Sequence, residues 1–215
     1  MADTRDDALA GDDAEPAIDR TIRIGLDDDE RPRAAELYYA AFEALLRPIL
    51  GEPARALPLL ADALDRELAL VARAADGRLV GLCGLHIDDR HLVDLRIAAI
   101  LRAFGPLDGA RRVLVGLLLA ASPAPGELLI DGIAVDPRVR GRGVARRLLD
   151  ELARIAAARG LRAIRVDVAD TNLAARRLYE GCAFVAGETR RSALRRRIFG
   201  FAAATTMRRA ITATE

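Results

Sequence analysis

Apolar positions along this chain switch between two spacings. From Arg33 to Leu46 they recur every three or four residues (Ala35, Leu37, Tyr38, Ala41, Phe42, Leu45), which predicts a helix with one broad buried face. Asp27 to Glu30 and Pro32 stand where its first turn would be, and Pro48, Gly51 and Pro53 predict its end. A second helix follows over roughly Arg55 to Leu64, and Thr21 to Ile24 ahead of the pair reads as a short first strand. Two apolar runs, Leu68 to Arg73 and Leu79 to Ile87, flank Asp76-Gly77, the signature of a hairpin turn. Residues 92–121 carry two helical patterns split at Gly105-Pro106. Glu127 to Val135 predicts a fourth strand, ended by Asp136-Pro137 because proline cannot donate to a ladder. Leu161 to Val168 predicts a fifth. A helix capped by Thr171 or Asp170 and ended by Gly181 comes next, then two strands over Phe184 to Gly187 and Ile198 to Arg208. Strands and helices mixed in this way predict an α/β fold of about seven strands over roughly residues 21–212.

The most informative stretch joins the fourth strand to a helix. After Asp136-Pro137 comes Arg140-Gly141-Arg142-Gly143, and apolar residues then recur at Val144, Leu148, Leu149, Leu152, Ile155 and Ala156. A strand, a glycine-rich loop and a helix aim free amides and the positive end of a helix dipole at one point, which suits a phosphate or pyrophosphate. A nucleotide P-loop would need Gly-Lys-Ser/Thr, and the chain has no lysine. A dinucleotide fingerprint would need a third glycine where Arg146 stands. Arg140, Gly143 and Ala145 fit a third pattern, Arg-x-x-Gly-x-Gly/Ala. Gly132, inside the strand, predicts a bulge or a close backbone approach.

Composition narrows the setting. A chain of 215 residues that is 52% hydrophobic supports one large core. Net charge is +1, so no overall field draws it to nucleic acid or anionic membrane. Its basic residues are all arginine and its one asparagine is Asn172, a bias expected of a GC-rich bacterial genome. Residues 1–20 hold seven acidic residues and two arginines and read as an acidic flexible tail ahead of the domain at 21–215. Cys83 and Cys182 sit in apolar surroundings and read as buried free thiols. There is no signal peptide pattern, and the longest apolar run, Val113 to Ala121, is far short of the ~20 residues that span a bilayer. A cytoplasmic protein is expected. His86 and His91 have no telling partner and read as structural or surface residues. Arg190, Arg191, Arg195, Arg196 and Arg197 read as a solvated loop without the aromatic platforms of a single-strand binder.

A second motif gives the first one a context. Asn172-Leu173-Ala174-Ala175-Arg176-Arg177-Leu178-Tyr179, followed by Ala183-Phe184, matches Asn-x-x-Ala-x-x-Leu-Tyr with Gly-Phe beyond it, save that alanine replaces the glycine. With the Arg140–Ala145 loop, the chain resembles the GNAT superfamily of N-acetyltransferases. The resemblance implies a mixed, mostly antiparallel sheet with helices on both faces and with strands four and five splayed. It implies acetyl-CoA as co-substrate and no metal. The pyrophosphate would rest on Arg140, Gly141, Arg142, Gly143, Val144 and Ala145. The pantetheine arm would lie along the backbone of Ile133, Ala134 and Val135, helped by Asn172. Tyr179 would protonate the departing thiolate, a role that suits a phenol protonated at neutral pH.

The proton on the acceptor amine needs a taker. Strict alternation puts Glu127, Leu129, Asp131 and Ile133 on one face of the fourth strand. Many family members carry a base near the place of Leu129. Here the carboxylates lie one alternation to either side, with Asp131 preferred, then Glu127, and solvent as the alternative. Tyr38, Tyr39, Phe42 and Glu43, on the first helix, are candidate acceptor contacts. The 92–121 insert reads as an acceptor wall or a homodimer surface. The expected partner is a small-molecule or peptide amine, with neither membrane nor nucleic acid expected. The rival within the same fold is a non-catalytic acyl-CoA sensor.

Overall fold

A computed structural model describes residues 22–211. The acidic segment 1–20 therefore lies outside the described residues. Eight strands form one mixed sheet. They are β1 (Ile22–Ile24), β2 (Ala69–Arg73), β3 (Leu79–Ile87), β4 (Arg90–His91), β5 (Glu127–Val135), β6 (Ala163–Ala169), β7 (Val185–Arg191) and β8 (Ala203–Ala210). The order across the sheet is β1-β2-β3-β5-β6-β8-β7, with β4 paired to β3. Every pairing is antiparallel except β5 with β6. The helices are α1 (Arg31–Leu50), α2 (Pro53–Ala63), α3 (Ile97–Phe104), α4 (Pro106–Leu117), α5 (Val144–Ala158), α6 (Leu173–Glu180) and α7 (Ala193–Phe199). Among the described residues, no helix is long and apolar enough to cross a membrane.

Two apolar layers sandwich the sheet. On one face Leu148, Leu149 and Leu152 of α5 and Tyr179 of α6 pack on Leu70, Val80, Ile130, Val166 and Met207. On the other, Ala34, Ala35, Leu37 and Tyr38 of α1 and Phe199 and Phe201 around the end of α7 pack on Val71, Leu82 and Ala134. The α5 spacing of apolar residues was readable as one helical face: Val144, Leu148, Leu149, Leu152 and Ala156 are buried and Ile155 is partly buried.

Three elements depart from expectation. Pro48 does not end α1, which runs on to Leu50 and breaks its helical geometry at Phe42 (φ −123°, ψ 23°). The stretch expected as an arginine loop and a strand from Ile198 is instead the end of β7 and the helix α7. Ser192 caps that helix through its side chain, Gly200 closes it in the left-handed region, and alanine, leucine and arginine between them favour helix. Finally, β8 enters between β6 and β7 and holds β7 in register as far as Arg191, beyond the Gly187 limit expected for that strand.

Candidate active site

Strands β5 and β6 pair over only three rungs, Glu127 with Ala163, Leu128 with Ile164 and Leu129 with Arg165. Both strands continue, to Val135 and Ala169, without pairing to each other. Backbone groups of β5 that face β6 beyond Leu129 are thus released from the ladder. The parting coincides with a bulge. The register against β3 runs Gly84 with Gly132, then Leu85 with Ile130, so Asp131 is the extra residue. The bulge predicted from Gly132 is present one residue earlier. Gly132 answers to a close approach as well, because a Cβ there would stand 2.3 Å from Cζ of Phe42. The extra residue also overturns the strict alternation expected along this strand. Ile133 joins the α5 face with Ile130, whereas Asp131 stays on the α1 side with Leu92 and Gly84.

The loop after β5 opens toward this gap. Asp136 is buried and accepts from the Arg138 amide at 2.9 Å and from Arg33 at 2.5 Å, which fixes where the loop leaves the strand. Arg140 turns back, its Nε donating to the Val135 carbonyl at 3.2 Å. Gly143 is the N-cap of α5, in the left-handed region (φ 80°), and has no side chain to cap the helix. The first amides of a helix lack intrahelical acceptors, so those of Val144, Ala145 and Arg146 are offered outward. The space beside the loop is open, since a Cβ built on Gly141 or Gly143 would meet nothing within 4 Å. Arg146 donates to the Gly181 carbonyl at 2.8 Å and so ties the start of α5 to the end of α6.

On α6, Asn172 is itself the N-cap, accepting from the Ala175 amide at 3.0 Å, in place of the expected Thr171 or Asp170. Asp170 instead accepts from the amides of Ala202 and Ala203 and docks the loop on β8. The Asn172 cap uses the oxygen only, which leaves its amide donors for a ligand. At the other end, Gly181 keeps right-handed geometry, and the left-handed residue is Ala183 (φ 63°). Phe184 N donates to Tyr179 O and Ala183 N to Glu180 O, the two bonds of a Schellman closure, with the Phe184 ring 5.2 Å edge-on to that of Tyr179. Tyr179 is buried in the same cluster as Ile130 of β5 and Val166 and Val168 of β6, the residues flanking the gap. Burial first, then the nearby Cys83 and Cys182 thiols, push its hydroxyl well above the usual phenol range, so it stays protonated.

The glycine loop at the start of α5, the parted β5–β6 pair and the buried, protonated Tyr179 thus lie on neighbouring elements. The family model described as Acetyltransferase (GNAT) family matches residues 31–184. The chain belongs to the GNAT acetyltransferase family. Among solved structures it is similar to an N-acetyltransferase from Staphylococcus aureus Mu50, at 17% identity over 88% of this chain and 100% of that one, with a TM-score of 0.64. It is also similar to an agmatine N-acetyltransferase (19% identity, 88% and 98% covered, TM-score 0.58). The ribosomal-protein-S18-alanine N-acetyltransferase from Escherichia coli is a third (18% identity, 91% and 96% covered, TM-score 0.52). At these identities the likeness is one of fold. A search among curated proteins finds no match.

The GNAT fold of this chain places the remaining candidates as follows. Glu127 lies at the closed end of β5, bonded to Arg208 at 2.9 Å, and its other oxygen is buried without a hydrogen-bond partner among the described residues. Asp131, at the bulge, accepts from the Leu92 amide at 2.8 Å and stands 3.5 Å from Nδ1 of His86. That contact corrects the expectation that neither histidine has a telling partner. His86 is buried and packs 5.2 Å from the His91 ring across β3 and β4. Tyr38 reaches the Asp131 carbonyl at 3.4 Å, and Phe42 covers Gly132, so both touch the bulge. Tyr39 bonds the Gly51 carbonyl at 2.7 Å, and Glu43 pairs with Arg47 at 3.5 Å, which ties both to the helix end. The His86–Asp131 pair was out of reach of sequence reading, because it depends on β3 lying beside β5.

Proposed function

We propose that the protein is an N-acetyltransferase that moves the acetyl group of acetyl-CoA to a primary amine by direct attack in a ternary complex. The observation that supports this reading is the open Gly143 loop beside the gap between β5 and β6, with Tyr179 buried in the same cluster as Ile130, Val166 and Val168 of those strands. The residues fit the co-substrate. Gly141 and Gly143 leave room for a diphosphate, and the outward amides of α5 together with Arg140 supply positive potential. Beyond Leu129 β5 does not pair with β6, so those backbone groups of the Ile133, Ala134 and Val135 stretch that turn toward the gap can hold an extended amide-bearing arm as an added strand does. The Asn172 amide assists from the start of α6.

Acetyl-CoA supplies an acyl group on a thiolate leaving group. Main-chain amides at the bulge polarise the carbonyl. Tyr179, held protonated by burial, gives its proton to sulfur. The acceptor enters on the α1 side, past Tyr38 and Phe42. Acceptors as unlike as agmatine and the alanine of ribosomal protein S18 are named for proteins of this fold.

The test uses purified protein, acetyl-CoA and three probes, agmatine, glycinamide and a peptide beginning with alanine. Thiol release is followed alongside calorimetric binding of CoA. Tyr179→Phe is expected to bind CoA as wild type does and to lose turnover. Binding by the wild-type protein without turnover on any amine favours the sensor reading instead. No binding at all ends both.

A further inference from the structure

An ammonium loses two protons on becoming an amide, and the site described so far accounts only for the proton passed to sulfur. Resting on the proposed transferase reading, we propose that His86, oriented by Asp131, is the general base for the acceptor amine. Three observations place it. His86 lies opposite Leu129 of β5, which in turn lies opposite Arg165 of β6, so it shares the last rung before β5 and β6 part. Cross-strand neighbours share a face, and this one is the α1 face, where Tyr38 and Phe42 touch the bulge. Asp131 stands 3.5 Å from its Nδ1, a loose spacing of the kind catalytic pairs show before substrate tightens them.

Asp131 itself is the poorer base. One of its oxygens already accepts from the Leu92 amide, and the other faces the imidazole. Carboxylates as a class titrate well below neutral pH, whereas imidazole titrates close to it. A carboxylate beside Nδ1 favours the tautomer protonated there and leaves the Nε2 lone pair to receive a proton. Other titratable groups near this pair are His91 on β4, Cys83 on β3, whose thiol the Asp131 charge affects, and Tyr38 on α1, whose hydroxyl reaches the Asp131 carbonyl.

The balance is then complete. His86 takes one proton from the ammonium and releases it to solvent. The nitrogen pair forms the N–C bond to the acetyl carbon, and the C–S pair leaves on sulfur. Tyr179 protonates that sulfur and is restored by the second nitrogen proton.

The test compares wild type, His86→Gln, His86→Ala and Asp131→Asn with acetyl-CoA and whichever of the three probe amines the wild type acetylates. His86→Gln is expected to lower kcat by about 10²–10⁴-fold, with CoA binding unchanged and the acidic limb of the pH–rate profile lost. Added imidazole should restore turnover to His86→Ala, which a merely structural histidine would not allow. Asp131→Asn, which keeps His86 but removes the carboxylate at its Nδ1, should lower kcat with CoA binding unchanged, a readout that survives even where both His86 variants fail to fold. Unchanged kcat and acidic limb in His86→Gln would overturn the assignment, as would unchanged kcat in Asp131→Asn. Wild-type protein that binds CoA and acetylates none of the amines would remove the transferase reading, and this one with it.

Discussion

Replacing Ala183 by glycine relaxes a strained position directly beneath the candidate proton donor. Ala183 is exposed and holds φ 63°, where an L side chain crowds the following carbonyl. The left-handed conformation costs about 1–2 kcal/mol for a residue with a Cβ. Glycine removes that cost but adds unfolded-state entropy worth about 0.4–1 kcal/mol. The net gain is about 0.5–1 kcal/mol. For a chain of 215 residues, an unfolding entropy of about 2.1 cal/mol/K per residue converts this to a rise in Tm of roughly 1–2 °C. Thermal unfolding followed by circular dichroism reads the shift, with Ala183→Val as the opposite arm, since a β-branched residue at positive φ should lower Tm. The same bonds that close α6 hold the Tyr179 carbonyl and seat its ring on Phe184, so kcat should stay within about twofold in Ala183→Gly, as glycine supports the closure better. An Ala183→Gly Tm equal to or below wild type would refute the argument from strain.

Other outcomes follow from the same geometry. Gly143→Ala puts a Cβ at φ 80° and should weaken CoA binding about tenfold, read by calorimetry, while leaving the fold intact. Leu148→Ala empties a fully buried site under the sheet and should cost about 2–5 kcal/mol in chemical denaturation. Burial alone would raise the Glu30 carboxyl, but the Arg73 hydrogen bond, the Asp27 amide and the charges of Arg73 and Arg23 outweigh it and hold it below its ordinary value of 4.5. A depressed carboxyl stabilises the fold above its unfolded value and loses that contribution as pH falls through the folded one. The stability gap between wild type and Glu30→Gln should therefore be full above pH 4.5 and close at lower pH, measured by denaturant titration across that range.

Much of the site was readable from local pattern. The β5–loop–α5 unit and the α6 motif are contiguous stretches, and local spacing places Gly143, Asn172 and Tyr179 where the structure has them. Gly132 signalled the bulge because a glycine in a strand marks lost pairing or close approach, and here it marks both. What spacing could not carry was parity beyond that bulge. One inserted residue turns Ile133 to the opposite face from the one strict alternation assigns. The partners of Asp131 come from β3 and from the residue after β4, contacts set by strand order that no local window contains. The α7 helix was missed because an arginine-rich stretch reads as solvent-loving, whereas its caps at Ser192 and Gly200 were the better signal.

The position of β8 has a consequence for how the chain comes to be folded. On the ribosome β6 and β7 are both made before the strand that joins them. Until residues 203–210 emerge and slot in, the far margin of β6 stays open and β7 has nothing to rest on. The half of the sheet that carries one wall of the β5–β6 gap is thus completed last, by contacts distant in sequence, and those are slow to find. An emerging chain therefore displays an unfinished strand margin for longest on the side of the candidate active site, the kind of surface that chaperones exist to shield.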